Sequence, residues 1–332
     1  MTYSLLEKFF RESAPQYIQL SSQQPSQIFH TLKTIEITSD TVILLNGDVW
    51  RYANVEHGIF NHNALQGKTV ILQTLGYTNT KHNELHYHIS YPYFYFSLVK
   101  NIDTPPLDDN LKYGFSCLNN NTSIDRFILG HNLYTNNLLD DMIFSQNLAN
   151  SVYSLTRIEK DLNILNLPNF YEYKKLLPIS YDEDTTNHDK IAKEHNNVDH
   201  PAFNDAYCNI AVETECEEYP YSRNVNLPIV TEKSYKPFRA RQIPLLVSAQ
   251  GHYAYLKDLG FEMMEDFLPN GYDDMPFLKK VDAVVSTVAK GKEYAKDFYF
   301  NHLPEIQHNH ELVNSTKVEE LVLKRIHTLL TP

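Results

Sequence analysis

The chain has 332 residues, of which 42% are hydrophobic and 21% charged, with neither an internal repeat nor a low-complexity tract, so it is long for one domain and comfortable for two. Its formal net charge of −12 at pH 7 excludes a generic nucleic-acid coat, although a local basic groove remains compatible with it. No apolar run of about 18 residues offers a membrane span, and Cys117, Cys208 and Cys216 have neither zinc spacing nor the pattern of a disulfide framework. Met1 to Phe10 reads as an amphipathic helix and not as a signal peptide, so cytoplasmic residence is expected.

The first third of the chain alternates strand-like runs with polar connections. Thr41-Val42-Ile43-Leu44-Leu45 is a buried-strand pattern ending in Asn46-Gly47-Asp48, and Thr69-Val70-Ile71-Leu72-Gln73 is a second, ending near Gly76. Tyr91 to Val99 reads as a third strand or the start of a helix, with crossovers supplied by Leu65 to Lys68 and by the segment before Thr41. Short apolar strands separated in this way predict a parallel α/β sheet. Ligands of such sheets lie at the carboxyl ends of the strands, where Asp48 and the loop from Gln73 to Glu84 fall. His82, His86 and His88 are spaced as metal ligands can be, but alternation along an exposed strand or loop explains them better.

Pro105-Pro106 followed by Asp108-Asp109-Asn110 marks a linker. Beyond it, Tyr113 to Leu118 predicts a strand and Ile124 to Asn136 a helix with Ile128, Leu129 and Leu133 on one side; a short strand follows near Met142. Asp182 to His200 reads as a surface loop, Cys208 to Glu213 as a strand and Pro244 to Val247 as another. A helix from about His252 to Leu259 ends on Gly260, Phe261 to Met264 reads as a further strand, and the chain from Asp274 to Leu330 is mostly helical, broken near Asn301 to Pro304.

Thr231-Glu232-Lys233-Ser234-Tyr235-Lys236-Pro237 is the stretch richest in chemistry. A capping Thr, an acceptor, an ammonium and a hydroxyl stand together where a helix N-terminus can stabilise an anion such as a diphosphate. Taken alone, these seven residues are better explained by an ordinary helix start on a solvated face. Pro237 requires either a kinked helix or one that begins at the proline.

Three stretches in order give the motif its context: Phe115-Ser116-Cys117-Leu118-Asn119 with Asp125-Arg126, then Asn209-Ile210-Ala211-Val212-Glu213-Thr214, then Thr231-Glu232-Lys233 with the strand and helix that follow. Over roughly residues 112 to 270 this order resembles the donor domain of the α1,3-fucosyltransferases, and most closely the fucosyltransferase-like proteins of phages and large viruses. The resemblance implies two Rossmann-like domains of the GT-B type with a cleft between them: an acceptor domain over residues 1–107, a nucleotide-sugar domain over 108–300 and a C-terminal helical segment over 301–332. It assigns Arg126 and Lys233 to the donor diphosphate, Glu232 to the ribose, and Glu213 and Thr231 to the donor site. The chain departs from the family pattern at Ile229, where the family has a donor-contacting Tyr, and in Gln73-Thr74-Leu75-Gly76-Tyr77, which carries no carboxylate before Glu84.

The function this implies is an inverting, metal-independent transfer of a sugar from a nucleotide-diphosphate sugar to a glycan or other small acceptor hydroxyl, with Asp48 as base and Glu84 as second candidate. Such a transfer needs a base for the acceptor proton and cations for the leaving diphosphate. Three rivals stand beside it. Asp182-Glu183-Asp184 has the form used by single-Rossmann transferases to hold a metal. A hydroxymethylated base in phage DNA is a second acceptor class, for which Lys233, Lys236, Arg239 and Arg241 form the dense basic stretch and Lys174, Lys175, Lys279 and Lys280 a rim. A non-catalytic nucleotide-sugar or partner-binding module is the third.

Overall fold

The computed structural model describes residues 16–19, 25–34, 36–38, 41–45, 61–74, 80–81, 86–90, 110–119, 123–146, 167, 169–179, 201–213 and 230–330. Asp48, Glu84, the stretch Tyr91 to Val99, Pro105-Pro106, Cys216 and Asp182-Glu183-Asp184 lie outside the described residues. The chain divides into two compact units: Met1–Ser97 with Glu218–Thr231 and Ser315–Pro332, and Leu98–Glu217 with Glu232–Asn314.

The first unit holds β1 (Gln16–Gln19), α1 (Pro25–Thr34), β2 (Thr41–Leu45), β3 (Thr69–Thr74), β4 (Thr80–Lys81) and β5 (His86–Ser90) in a sheet of order β1-β2-β3-β5-β4. The pairs β1–β2, β2–β3 and β3–β5 are parallel, and α1 lies in the chain between β1 and β2, as a parallel pair requires of its connection. β2 and β3 are the two apolar runs read from the sequence, β3 longer by one residue. The segment before β5 folds back as β4, with Thr80 opposite His88, so His86 and His88 lie on a paired strand.

The second unit contains β6 (Tyr113–Asn119), α2 (Ile124–Thr135), β7 (Ile143–Gln146), α3 (Phe170–Leu176), the single turn α4 (Pro201–Asn204), β8 (Ala206–Val212), α5 (Glu232–Arg239), β9 (Ile243–Val247) and α6 (His252–Asp258). Three longer helices complete it: α7 (Phe277–Val288), α8 (Gly291–Asn301) and α9 (Leu303–Val313). α10 (Lys317–Leu330) belongs to the first unit. The four strands form a wholly parallel sheet of order β7-β6-β8-β9. α5 packs on β8 and β9, α7 on β9 and α2, and α8 on β6 and β8. Every residue of β8 is buried, as expected of a central parallel strand.

Two devices satisfy the polar groups of this sheet. Within it, Ser116 and Asn209 are register partners on β6 and β8; the Asn209 amide donates to Ser116 Oγ at 3.0 Å, and Ser116 donates to the Ala202 carbonyl at 2.7 Å. At its edge, β9 carries Pro244, which has no N–H and is tolerated on an edge strand. There Tyr253 Oη accepts from Leu246 N at 3.3 Å and donates to the Pro244 carbonyl at 3.4 Å, while Tyr272 Oη donates to the Leu246 carbonyl at 2.9 Å. Two phenols thus stand in for a missing neighbour strand, which blunts an edge otherwise open to pairing.

The structure corrects one sequence expectation and decides another. Phe261 to Met264 is not a strand. The chain leaves α6 through Gly260 at φ +97°, and the Phe261 N–H closes onto the Leu256 carbonyl. Asn309 on α9 then takes both backbone groups of Glu262, accepting from its N–H and donating to its carbonyl at 2.7 Å each, so a carboxamide replaces the strand pairing. Of the two courses open at Pro237, α5 takes the first: it begins at Glu232 and runs through the proline, which has no N–H to give to the helix.

α2 is seated by Ser123, whose hydroxyl accepts from Arg126 N at 3.4 Å, and by a buried face of Phe127, Ile128, Leu129 and Leu133. At Gly130 this helix comes so close to α3 and β7 that an added Cβ would collide with Tyr173 Oη and Gln146 Oε1, themselves hydrogen-bonded at 2.7 Å. Gly130→Ala is therefore expected to destabilise the second unit by about 1–3 kcal/mol in a denaturant titration. Adding Tyr173→Phe should recover part of the loss, and an unchanged midpoint for Gly130→Ala would contradict this packing.

Candidate functional site

In the four-stranded sheet the chain passes from β6 to β7 on one side and then to β8 on the other, so the strand order reverses between β6 and β8. Ligand crevices of open α/β sheets form outside the carboxyl ends of the strands at such a reversal. Asn119 ends β6, and α2 with Arg126 in its first turn follows; Glu213 directly follows β8. α5, opening with Glu232, Lys233 and Ser234, precedes β9, and Ser248 follows it.

Glu213 is the centre of this arrangement. Its backbone N–H still donates to the Val247 carbonyl of β9 at 3.0 Å, which holds the residue rigidly past the strand end. The carboxylate has no exposed surface. Ser234 Oγ donates to its Oε1 at 2.5 Å, and Lys233 Nζ stands 4.0 Å from its Oε2. Lys233 keeps 27% of its side chain exposed while its ammonium stands at the edge of ion-pair distance from Glu213. Thus the strand-end Glu213 and Lys233 of the Thr-Glu-Lys motif, 20 positions apart, are brought into contact. Thr231 is buried directly ahead of α5, and Glu232 opens the helix.

Arg126 belongs to the neighbouring strand end. Burial pushes the Cys117 thiol up to about 12, opposed by a hydrogen bond from Asn119 and by the nearby Arg126 charge. Arg126 is buried, at 7% exposure, although a residue assigned to the donor diphosphate is expected to face a ligand. The basic stretch is also corrected: Lys236 and Arg239 are buried, because α5 turns one face to the sheet and the other to α9. Lys280, read as a rim residue, has no exposed surface; its ammonium donates to the carbonyls of Ser248 and Ala249 at 3.0 and 3.2 Å and lies over the Tyr272 ring.

His252 is the residue the sequence did not mark. It opens α6 and is wholly buried, with Nε2 2.9 Å from Ser234 Oγ. Burial lowers its pKa from 6.5 to about 4, with Lys280 adding to the shift while Glu213 and Asp273 oppose it. Asp273 also occupies the α6 N-terminus, accepting from Tyr253 N and Ala254 N at 3.0 Å each. A lone histidine at a helix start carries no spacing signal. Lys280 did carry one, since it falls on the apolar stripe of Phe277, Val281, Val284 and Val288, where only a committed ammonium is tolerated.

Among the described residues, no cluster of three His, Cys, Asp or Glu side chains is placed to hold a metal. No helix among them is long and apolar enough to cross a membrane. No family model, curated protein or solved structure matches the chain.

The depressed pKa of His252 has a consequence for stability. The unfolded chain binds a proton near pH 6.5 and the folded chain only near pH 4, so stability present above pH 6.5 is lost as the pH falls between these values. The contribution is on the order of 3 kcal/mol. Thermal unfolding followed from pH 7 to pH 4 should show a steeper fall for the wild type than for His252→Gln, and identical slopes would contradict a buried neutral imidazole.

Proposed function

We propose that the protein is an inverting glycosyltransferase that holds a nucleotide-diphosphate sugar at the carboxyl ends of β6 and β8 and passes its sugar to an acceptor hydroxyl. The observation that carries this reading is the meeting of Glu213 with the first turn of α5: Lys233 Nζ lies 4.0 Å from one carboxylate oxygen and Ser234 donates to the other. Two motifs separated in the sequence converge at the sheet position where doubly wound folds take their nucleotides. In this reading Lys233 supplies a point charge and Arg126 a planar fork to the leaving diphosphate. The base that takes the acceptor proton would be Asp48 or, as second candidate, Glu84.

A wholly parallel sheet with a reversal of strand order is compatible with a Rossmann-like unit, and a second such unit for the acceptor gives the GT-B arrangement proposed here. The burial of Lys236, Arg239 and Lys280 favours a glycan or small acceptor over DNA, because it withdraws three of the cations that a duplex would need. A non-catalytic nucleotide-sugar module would use the same donor site, so turnover separates it from the transferase.

The test is a thermal-shift screen against nucleotide-diphosphate sugars, in which a ligand at 100 times its Kd raises stability by about 2.7 kcal/mol. Lys233→Ala should lose most of that shift, read against the variant's own ligand-free melting temperature, which should fall because the substitution removes the cation beside the buried Glu213 carboxylate. No shift with any nucleotide sugar would overturn the proposal.

With a donor in hand, transfer of labelled sugar should persist in EDTA, and Asp48→Asn should collapse turnover while donor affinity holds. Loss in EDTA restored by manganese would point to the Asp182-Glu183-Asp184 reading. Full turnover in Asp48→Asn, with loss in Glu84→Gln, would move the base to Glu84.

A further inference from the structure

Ser234 and His252 have no part in the donor contacts just described, yet both are fully buried against Glu213. A hydroxyl has one proton, and Ser234 gives it to Glu213 Oε1. His252 Nε2, 2.9 Å from the same Oγ, must therefore be the donor to it. This fixes the neutral imidazole in the Nε2–H form and gives a one-way chain from His252 Nε2–H to Ser234 Oγ–H to the Glu213 carboxylate. The other ring nitrogen agrees with this assignment. Nδ1 is buried with no hydrogen-bond partner among the described residues, which costs less for a bare lone pair than for an N–H.

We propose that His252 and Ser234 are positioning residues that lock the Glu213 carboxylate in one orientation and, through it, hold the Lys233 ammonium toward the donor diphosphate. Without the Ser234 hydroxyl, Oε1 has lost a buried donor, and turning toward Lys233 recovers one at the cost of drawing the ammonium inward. Ser234 depends on His252 in turn. With an apolar side chain at 252 the Ser234 oxygen has no N–H donor, and the orientation of its own proton is set by nothing from that side. The four participants come from three elements, the end of β8, the first turn of α5 and the first residue of α6, so the chain also joins these elements at the carboxyl edge of the sheet.

The part of this inference that concerns the donor rests on the reading of Lys233 as a donor contact, and the experiment separates the two. The first measurement needs no ligand: imidazole nitrogen NMR of the full-length protein at pH 7. His252 is expected with Nε2 protonated and Nδ1 bare, and Ser234→Ala is expected to abolish that preference. An Nδ1–H tautomer in the wild type would overturn the chain. The second measurement is calorimetric titration of GDP and UDP, used as probes for the diphosphate, into wild type, Lys233→Ala, Ser234→Ala, His252→Leu and His252→Gln.

Ser234→Ala and His252→Leu should weaken the binding probe about tenfold or more. His252→Gln, whose amide N–H can replace Nε2–H, should stay within about threefold of the wild type. A merely structural role for His252 would not be rescued by Gln in this way. If Lys233→Ala loses the probe while Ser234→Ala and His252→Leu both keep it, the positioning role is wrong and the donor site stands. If neither probe binds the wild type or Lys233→Ala makes no difference, the donor reading is overturned, and the chain itself is judged by the tautomer alone.

Discussion

A carboxylate without exposed surface at the end of a central strand sets the terms for everything around it. Burying the Glu213 charge unpaired would cost more than a small unit can supply. The first turn of α5 meets that cost with a hydroxyl and an ammonium. This fixes where α5 begins, and the helix continues through Pro237 in spite of the lost backbone bond because its inner face, with Tyr235 and Phe238, is packed. Phe238 stacks on Phe261 at 4.5 Å between ring centroids, so the same helix anchors the chain that leaves α6. One buried charge thereby couples β8, α5 and the segment after α6.

Two other charged groups at the carboxyl edge are committed to the fold. Asp273 fills the N-terminus of α6, and Lys280 reaches from α7 to the carbonyls of Ser248 and Ala249. An outside anion is thus turned away from α6 by a carboxylate already in place. α2 and α5 are the helices whose first turns present Arg126 and Lys233.

Several strands were legible because parallel strands read as continuous apolar runs, whereas Gln16–Gln19 and His86–Ser90 carry no such run and were not. Thr41 to Leu45, Thr69 to Gln73 and Cys208 to Val212 are such runs, and each is a strand. Phe261 to Met264 has the same composition but lies against α9, where Asn309 supplies its backbone partners, and composition cannot distinguish a carboxamide from a strand neighbour. Of the site, the residues carrying formal charge in motifs were legible, and Glu213 with Lys233 are in contact. His252 was not, because its role depends on a partner 18 positions away and on burial that no local pattern encodes. Arg126 was legible as a residue but not as a buried one.

The distribution of charge bears on what can approach the molecule. Among the described residues, four cations are buried, Arg126, Lys236, Arg239 and Lys280, against two carboxylates, Glu213 and Glu319. This leaves more cations than carboxylates inside, four against two, and those four cations are not available as surface contacts for a polyanion. The folding requirement that places lysines and arginines inside the second unit thus also withdraws them from contact with anything outside it.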